Sequence, residues 1–233
     1  MYEALFDPVT VETAIGEASN NYIYNPWVAE CIRRAIPDVR LIAVLRNPIE
    51  RAFSAYMHVV RDGRETASDF REGLALEAQR IRDNWQPMWA FKDVGLYHRQ
   101  LDRYYRTFPR EQIRVYLYDD LSSDPGSMLR DIYRFLQVDD RFEGDMATRY
   151  NVSGVTRSRF ITQLIRRQSP LKTAYQWIVP EEARLKITER IKNWNVGKIS
   201  MPADARRQLA AAYHDDILKL EDLIGRDLSH WRE

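Results

Sequence analysis

Two apolar runs punctuate an otherwise amphipathic chain. Val39-Arg40-Leu41-Ile42-Ala43-Val44-Leu45 is short, rich in branched residues and bounded by Pro37-Asp38 before and Asn47-Pro48 after. That pattern predicts a strand buried on both faces, of the kind found in parallel sheets. Ile113-Arg114-Val115-Tyr116-Leu117-Tyr118 predicts a second strand. Around them the apolar positions repeat at helical spacing. A first helix starts at Asn25-Pro26 and closes at Pro37. A second carries Ile49, Ala52, Phe53, Tyr56 and Val60 on one face, with Asn47 as N-cap, Pro48 in the first turn and Gly63 as its stop. Phe70 to Trp85 and Tyr97 to Tyr105 read as helices, and Asp124-Pro125 caps another through Met128, Ile132 and Leu136. Helices interleaved with two apolar strands predict an α/β domain with a parallel sheet. Arg149 to Arg159 is polar and reads as a loop. The C-terminal part reads as largely helical, ending in an amphipathic stretch from Ala203 to Leu223.

Composition narrows the class. The 233 residues, 45% apolar and 30% charged, are enough for one domain with a sizeable core, and no repeat or linker divides them, so a single domain over 1–233 is expected. The formal net charge of +1 supplies no global basic field, so no nucleic-acid partner is expected and any anion site must be local. No apolar run approaches the roughly 20 residues of a membrane span. The start lacks the basic and apolar regions of a signal peptide. The lone Cys31 gives no disulfide or Cys-rich metal site and suits a reducing compartment, so a cytoplasmic location is expected. The four histidines have no metal-ligand spacing, and G-x-S-x-G, H-E-x-x-H and G-x-G-x-x-G do not occur, which leaves metal, hydrolase and dehydrogenase chemistry without residues.

The stretch Leu45-Arg46-Asn47-Pro48-Ile49-Glu50-Arg51-Ala52-Phe53-Ser54-Ala55-Tyr56 carries the candidate chemistry. Arg46 ends a strand and precedes a helix. Ligands of open α/β sheets gather beyond the carboxyl ends of strands, and a helix start there adds unpaired N–H groups. The planar donor fork of Arg46 suits a phosphate, although an arginine at a strand end is about as often salt-bridged. Ser54 lies eight residues on, about two helical turns. Glu50 and Arg51 read as a solvated helix face, and Phe53 and Tyr56 as core.

This strand followed by L-R-N-P-x-E-R-A-x-S-x-Y resembles the 3′-phosphate-binding element of the PAPS-dependent sulfotransferases, in particular their bacterial and heparan-sulfate-type branch. Gly16-Glu17-Ala18-Ser19 with Tyr22, Gly95-Leu96-Tyr97, Phe108-Pro109, Tyr118-Asp119-Asp120-Leu121 and the ending Leu223-Ile224-Gly225-Arg226-Asp227-Leu228-Ser229-His230-Trp231 are similar to further segments of that family. The resemblance implies a P-loop-NTPase-like parallel sheet flanked by helices, with PAPS as sulfuryl donor, no metal, and a small-molecule, glycan or lipid acceptor offering a hydroxyl or amine. It implies that Arg46 and Ser54 hold the 3′-phosphate and that Tyr118 lies near the adenine. It also places a cofactor-closing loop at Asn151 to Arg159, which adds Asn151 and Arg157, or Arg159, as nucleotide contacts. Nothing in the chain resembles the family's 5′-phosphosulfate loop or its upstream glutamate base, and Ala18 stands where the branch has a lysine. No catalytic residue is therefore assigned, and an N-terminally incomplete domain is expected, with a non-catalytic nucleotide-binding remnant as the alternative. A nucleoside-monophosphate-kinase relative would need a Walker A lysine, which is absent.

Overall fold

A computed structural model of the chain describes residues 6–142 and 200–232, together with the backbone of 155–156 and 196–197. The chain divides into two compact units. The first comprises residues 1–48, 96–148 and 214–233, and the second 49–95 and 149–213.

The first unit holds α1 (Val28–Ala35), β1 (Leu41–Leu45), α4 (Tyr97–Thr107), β2 (Ile113–Leu117), α5 (Tyr118–Ser123) and α6 (Pro125–Leu136). The strands pair in parallel with Leu41 opposite Ile113 and Leu45 opposite Leu117, so both end at one edge. Side chains alternate across a strand. One face of the pair presents Leu41, Ile113 and Val115, which pack with Ala29, Tyr104, Phe108, Ile23 and Ile32 into a core beneath α1 and α4. The other face leaves Ile42 and Val44 exposed by 38% and 49%. The expectation of a strand buried on both faces is thus corrected. Among the described residues β1 has one partner strand, and residues of α1 and α4 cover one face.

Helix α1 starts two residues later than Pro26 predicts, because Val28 N–H donates to Asn25 O in a preceding turn and Trp27 takes the N-cap. Helix α6 follows its signal. Asp124 accepts from Ser127 N–H at 3.0 Å, Pro125 occupies the first turn, and Gln137 ends it in the left-handed region at φ 62°. Helix α4 also ties down the segment before α1. Arg103 donates to Ile23 O and Tyr24 O, and the Tyr104 hydroxyl donates to Tyr22 O at 2.8 Å. Burial pushes that phenol up to about 12.

The second unit is built on α2 (Pro48–Arg61) and α3 (Phe70–Arg82), with a 3₁₀ turn at Asp93–Gly95. Phe53, Tyr56, Phe70 and Phe91 form its aromatic centre, with ring centroids 5.1 to 6.4 Å apart. Phe53 and Tyr56 are thus core, as their spacing predicts. Gly73 permits this packing, since a Cβ there would stand 3.2 Å from the Phe91 ring. The buried Glu77 accepts from the Lys92 and Asp93 N–H groups and so caps the 3₁₀ turn. Burial pushes its carboxyl up, against the pull of those two donors. A short antiparallel pair joins β3 (Val155–Thr156) to β4 (Val196–Gly197). Residues 203–213 of this unit begin α7 (Ala203–Ile224), which continues into residues of the first unit; its buried positions Ala205, Leu209, Tyr213, Ile217 and Leu220 recur at helical spacing.

Candidate functional site

The parallel register makes Arg46 and Tyr118 neighbours. Leu45 pairs with Leu117, and each strand delivers its next residue at the same carboxyl edge. The guanidinium carbon of Arg46 lies 5.5 Å from the centre of the Tyr118 ring, within cation–π range. Arg46 is half-buried, and among the described residues no carboxylate forms an ion pair with it. Its donors are therefore not already committed to protein oxygens there. Tyr118 is 46% exposed, so it offers an accessible aromatic face. A guanidinium fork beside an accessible ring suits a ligand that joins a phosphate to a planar base.

The corner that presents Tyr118 is held from behind. The Leu117 N–H donates to Asp120 Oδ2 at 2.9 Å, closing the β2–α5 turn. Arg226 grips the same carboxylate with both terminal nitrogens, at 2.8 and 3.1 Å. That fork, with the Leu117 N–H behind it, holds the Asp120 carboxyl below its ordinary value. Asp119 accepts from Trp231 Nε1 at 3.3 Å and lies 3.1 Å from His230 Nε2. Trp231 is fully buried and packs on the Tyr97 ring. Asp119–Asp120 and Arg226–Trp231 stand out in the sequence as separate segments, but nothing local says that they meet.

Ser54 lies half-buried on α2 and belongs to the second unit, whereas Arg46 belongs to the first. Arg51 departs from expectation. It is half-buried and its Nη2 donates to Phe91 O, where the sequence predicts a solvated face. The aromatic side chains that pack α2 on its neighbours bring a loop carbonyl within its reach. Glu50 likewise pairs with Arg206. Asn151, Arg157 and Arg159 lie outside the described residues.

Known proteins share this framework. Residues 22–143 match the sequence model described as the sulfotransferase family, a span that begins before α1 and ends after α6. Heparan sulfate glucosamine 3-O-sulfotransferase 6 of Mus musculus is 28% identical over 123 residues, 52% of this chain and 34% of the relative. The bifunctional heparan sulfate N-deacetylase/N-sulfotransferase 1 of Caenorhabditis briggsae is 24% identical over 132 residues, 54% of this chain and 15% of the relative. The chain thus spans about a third or less of the length of these two curated relatives. The crystal structure of a sulfotransferase from Alicyclobacillus acidocaldarius is 36% identical with a TM-score of 0.75, covering 100% of this chain and 73% of that one.

Proposed function

The chain belongs to the sulfotransferase family, and from that premise we propose that it moves a sulfuryl group from PAPS to a hydroxyl or amine of a glycan, lipid or small-molecule acceptor. The observation that carries this reading is the half-buried Arg46 at the carboxyl edge of the parallel pair, beside the exposed Tyr118 ring and without a carboxylate partner among the described residues. Arg46 holds the 3′-phosphate, and Tyr118 lies against the adenine. Ser54, Asn151 and Arg157 join the nucleotide contacts on the motif resemblance alone.

The 3′-phosphate is not the reacting group. In the transfer, the bond from sulfur to the oxygen bridging it to the 5′-phosphate breaks as a bond from sulfur to the acceptor oxygen or nitrogen forms, and the acceptor loses its proton. Holding the remote phosphate fixes the nucleotide so that this displacement proceeds from one geometry. A glycan acceptor is favoured by the names of the two relatives, one a glucosamine 3-O-sulfotransferase of heparan sulfate and the other an N-sulfotransferase of heparan sulfate. We treat residues 1–233 as one sulfotransferase domain, and a cytoplasmic location belongs to the same proposal, resting on the lone Cys31.

The test is incubation of the chain with sulfur-35-labelled PAPS and three acceptor classes: heparan-type oligosaccharides, lipid alcohols and phenols. Labelled acceptor appearing in step with adenosine-3′,5′-bisphosphate is the expected result. Tight binding of the bisphosphate with no transfer to any acceptor would instead favour a non-catalytic nucleotide binder.

A further inference from the structure

We propose that Arg226, 108 residues beyond Tyr118 in the sequence, is a positioning residue for the nucleotide site. The inference rests on the nucleotide reading above and adds to it what holds the site in shape. Tyr118 opens α5, a helix of 6 residues. So short a helix does not set its own orientation, because fixing the first turn costs more than its few hydrogen bonds return. Its orientation comes from anchors outside it. The two carboxylates that follow Tyr118 supply them, and both are taken by the C-terminal segment. Asp120 receives the Arg226 fork and the Leu117 N–H, while Asp119 meets His230 and Trp231. Trp231 is buried and so fixes this end of the segment in the first unit.

One carboxylate, Asp120, thereby joins the last residue of β2 to Arg226, with Tyr118 between them in the sequence. Tyr118 in turn faces Arg46 across 5.5 Å. Removing the fork leaves Asp120 with the Leu117 N–H and Asp119 as the remaining tie to the C-terminal segment, so the α5 start can shift about that single anchor. The Tyr118 ring then leaves the Arg46 guanidinium, which loses its lateral support. The bridge itself is partly exposed, with side-chain exposures of 43% for Arg226 and 28% for Asp120. Bridges of that kind contribute little to overall stability. A structural and a positioning role therefore predict different readouts: the first moves the melting temperature, and the second moves ligand discrimination in protein that remains folded.

The experiment titrates adenosine-3′,5′-bisphosphate and 5′-AMP calorimetrically into the full chain and its variants, with thermal melting in parallel. In Arg226→Ala the affinity ratio of bisphosphate to AMP should fall about 3- to 10-fold, the scale of a lost cation–π support. Arg226→Lys, which keeps the charge without the fork, should lose part of that ratio. Asp120→Ala, which also loses the Leu117 N–H bond, should lower the ratio at least as far, and the Asp120→Ala/Arg226→Ala double variant should match Asp120→Ala, as expected for one linked unit. If Arg46→Ala flattens the ratio while folded Arg226→Ala keeps the wild-type value, the inference is overturned and the nucleotide reading stands. Should Arg226→Ala not fold, a wild-type ratio in Arg226→Lys overturns it equally. If Arg46→Ala itself leaves the ratio intact, the nucleotide reading falls and takes the inference with it.

Discussion

Four arginines of the second unit end on oxygen: Arg51 on Phe91 O, Arg71 on Asp204, Arg80 on Glu65 and Arg206 on Glu50. At the carboxyl edge of the strand pair in the first unit, Arg46 faces a ring and, among the described residues, has no carboxylate partner, whereas Arg80 lies over the Trp85 ring with its fork taken by Glu65. The guanidinium is the same in both places and its surroundings differ. Where a carboxylate or carbonyl already takes the fork, the arginine is part of the frame. Where a π face supports the cation from the side and no carboxylate pairs with it, the in-plane donors remain available to a phosphate. Arg46 and Arg51 stand five residues apart in one motif and fall on opposite sides of this line.

The contrast is most open to challenge at the buried pair. Glu65 and Arg80 have side-chain exposures of 1% and 5%, with nitrogen–oxygen distances of 3.0 and 2.5 Å. Glu65→Ala leaves a buried guanidinium without its anion, and the expected loss is roughly 3–5 kcal/mol, measured by urea unfolding. A loss below about 1 kcal/mol would place this pair with the surface bridges and weaken the contrast. Arg51→Ala comes next. It removes the donor to Phe91 O and should cost about 1–3 kcal/mol of stability. Bisphosphate discrimination in the folded variant should stay near wild type. A collapse of discrimination with an unchanged melting temperature would mean that the two arginines have been assigned the wrong way round.

The smallest expected effect is in the pH dependence. The Arg226 fork holds the Asp120 carboxyl below its ordinary value, so the unfolded chain takes up that proton first as pH falls. The bridge's contribution is complete above the unfolded value near pH ~4 and is lost as pH drops through the lower folded value. Melting temperatures of wild type and Arg226→Ala should therefore differ slightly at neutral pH, by the equivalent of about 0.2–1 kcal/mol, and converge in acid. A gap that widens below pH ~4 would show that Arg226 stabilises the fold through something other than Asp120.

Much of this frame is legible in the chain itself. Branched apolar runs mark both strands, Asp124-Pro125 marks the start of α6, and the stretch from Leu45 to Tyr56 marks the junction of β1 with α2. The departures have a common physical origin. Arg51 looks solvated on a helical wheel because the wheel holds no information about the Phe91 carbonyl 40 residues away. The clasp of Arg226 on Asp120 spans 106 residues, and neither segment has a local pattern that requires the other. The exposed face of β1 follows the same rule. Ile42 and Val44 predict burial by composition, whereas their accessibility depends on which elements pack against the strand. Local periodicity reports elements, while pairings between distant side chains depend on tertiary packing.

Arg46 as the residue that reads the 3′-phosphate is the central claim. The most direct measurement is calorimetric titration of adenosine-3′,5′-bisphosphate and 5′-AMP into wild-type protein and Arg46→Ala. Charge-assisted bonds to a phosphate are worth roughly 1.5–3 kcal/mol, so wild type should prefer the bisphosphate by about ten-fold or more. Arg46→Ala should bind the two nucleotides almost equally, with a melting temperature close to wild type. Equal affinity of the wild-type protein for both nucleotides, or a preference that survives in folded Arg46→Ala, would contradict the assignment.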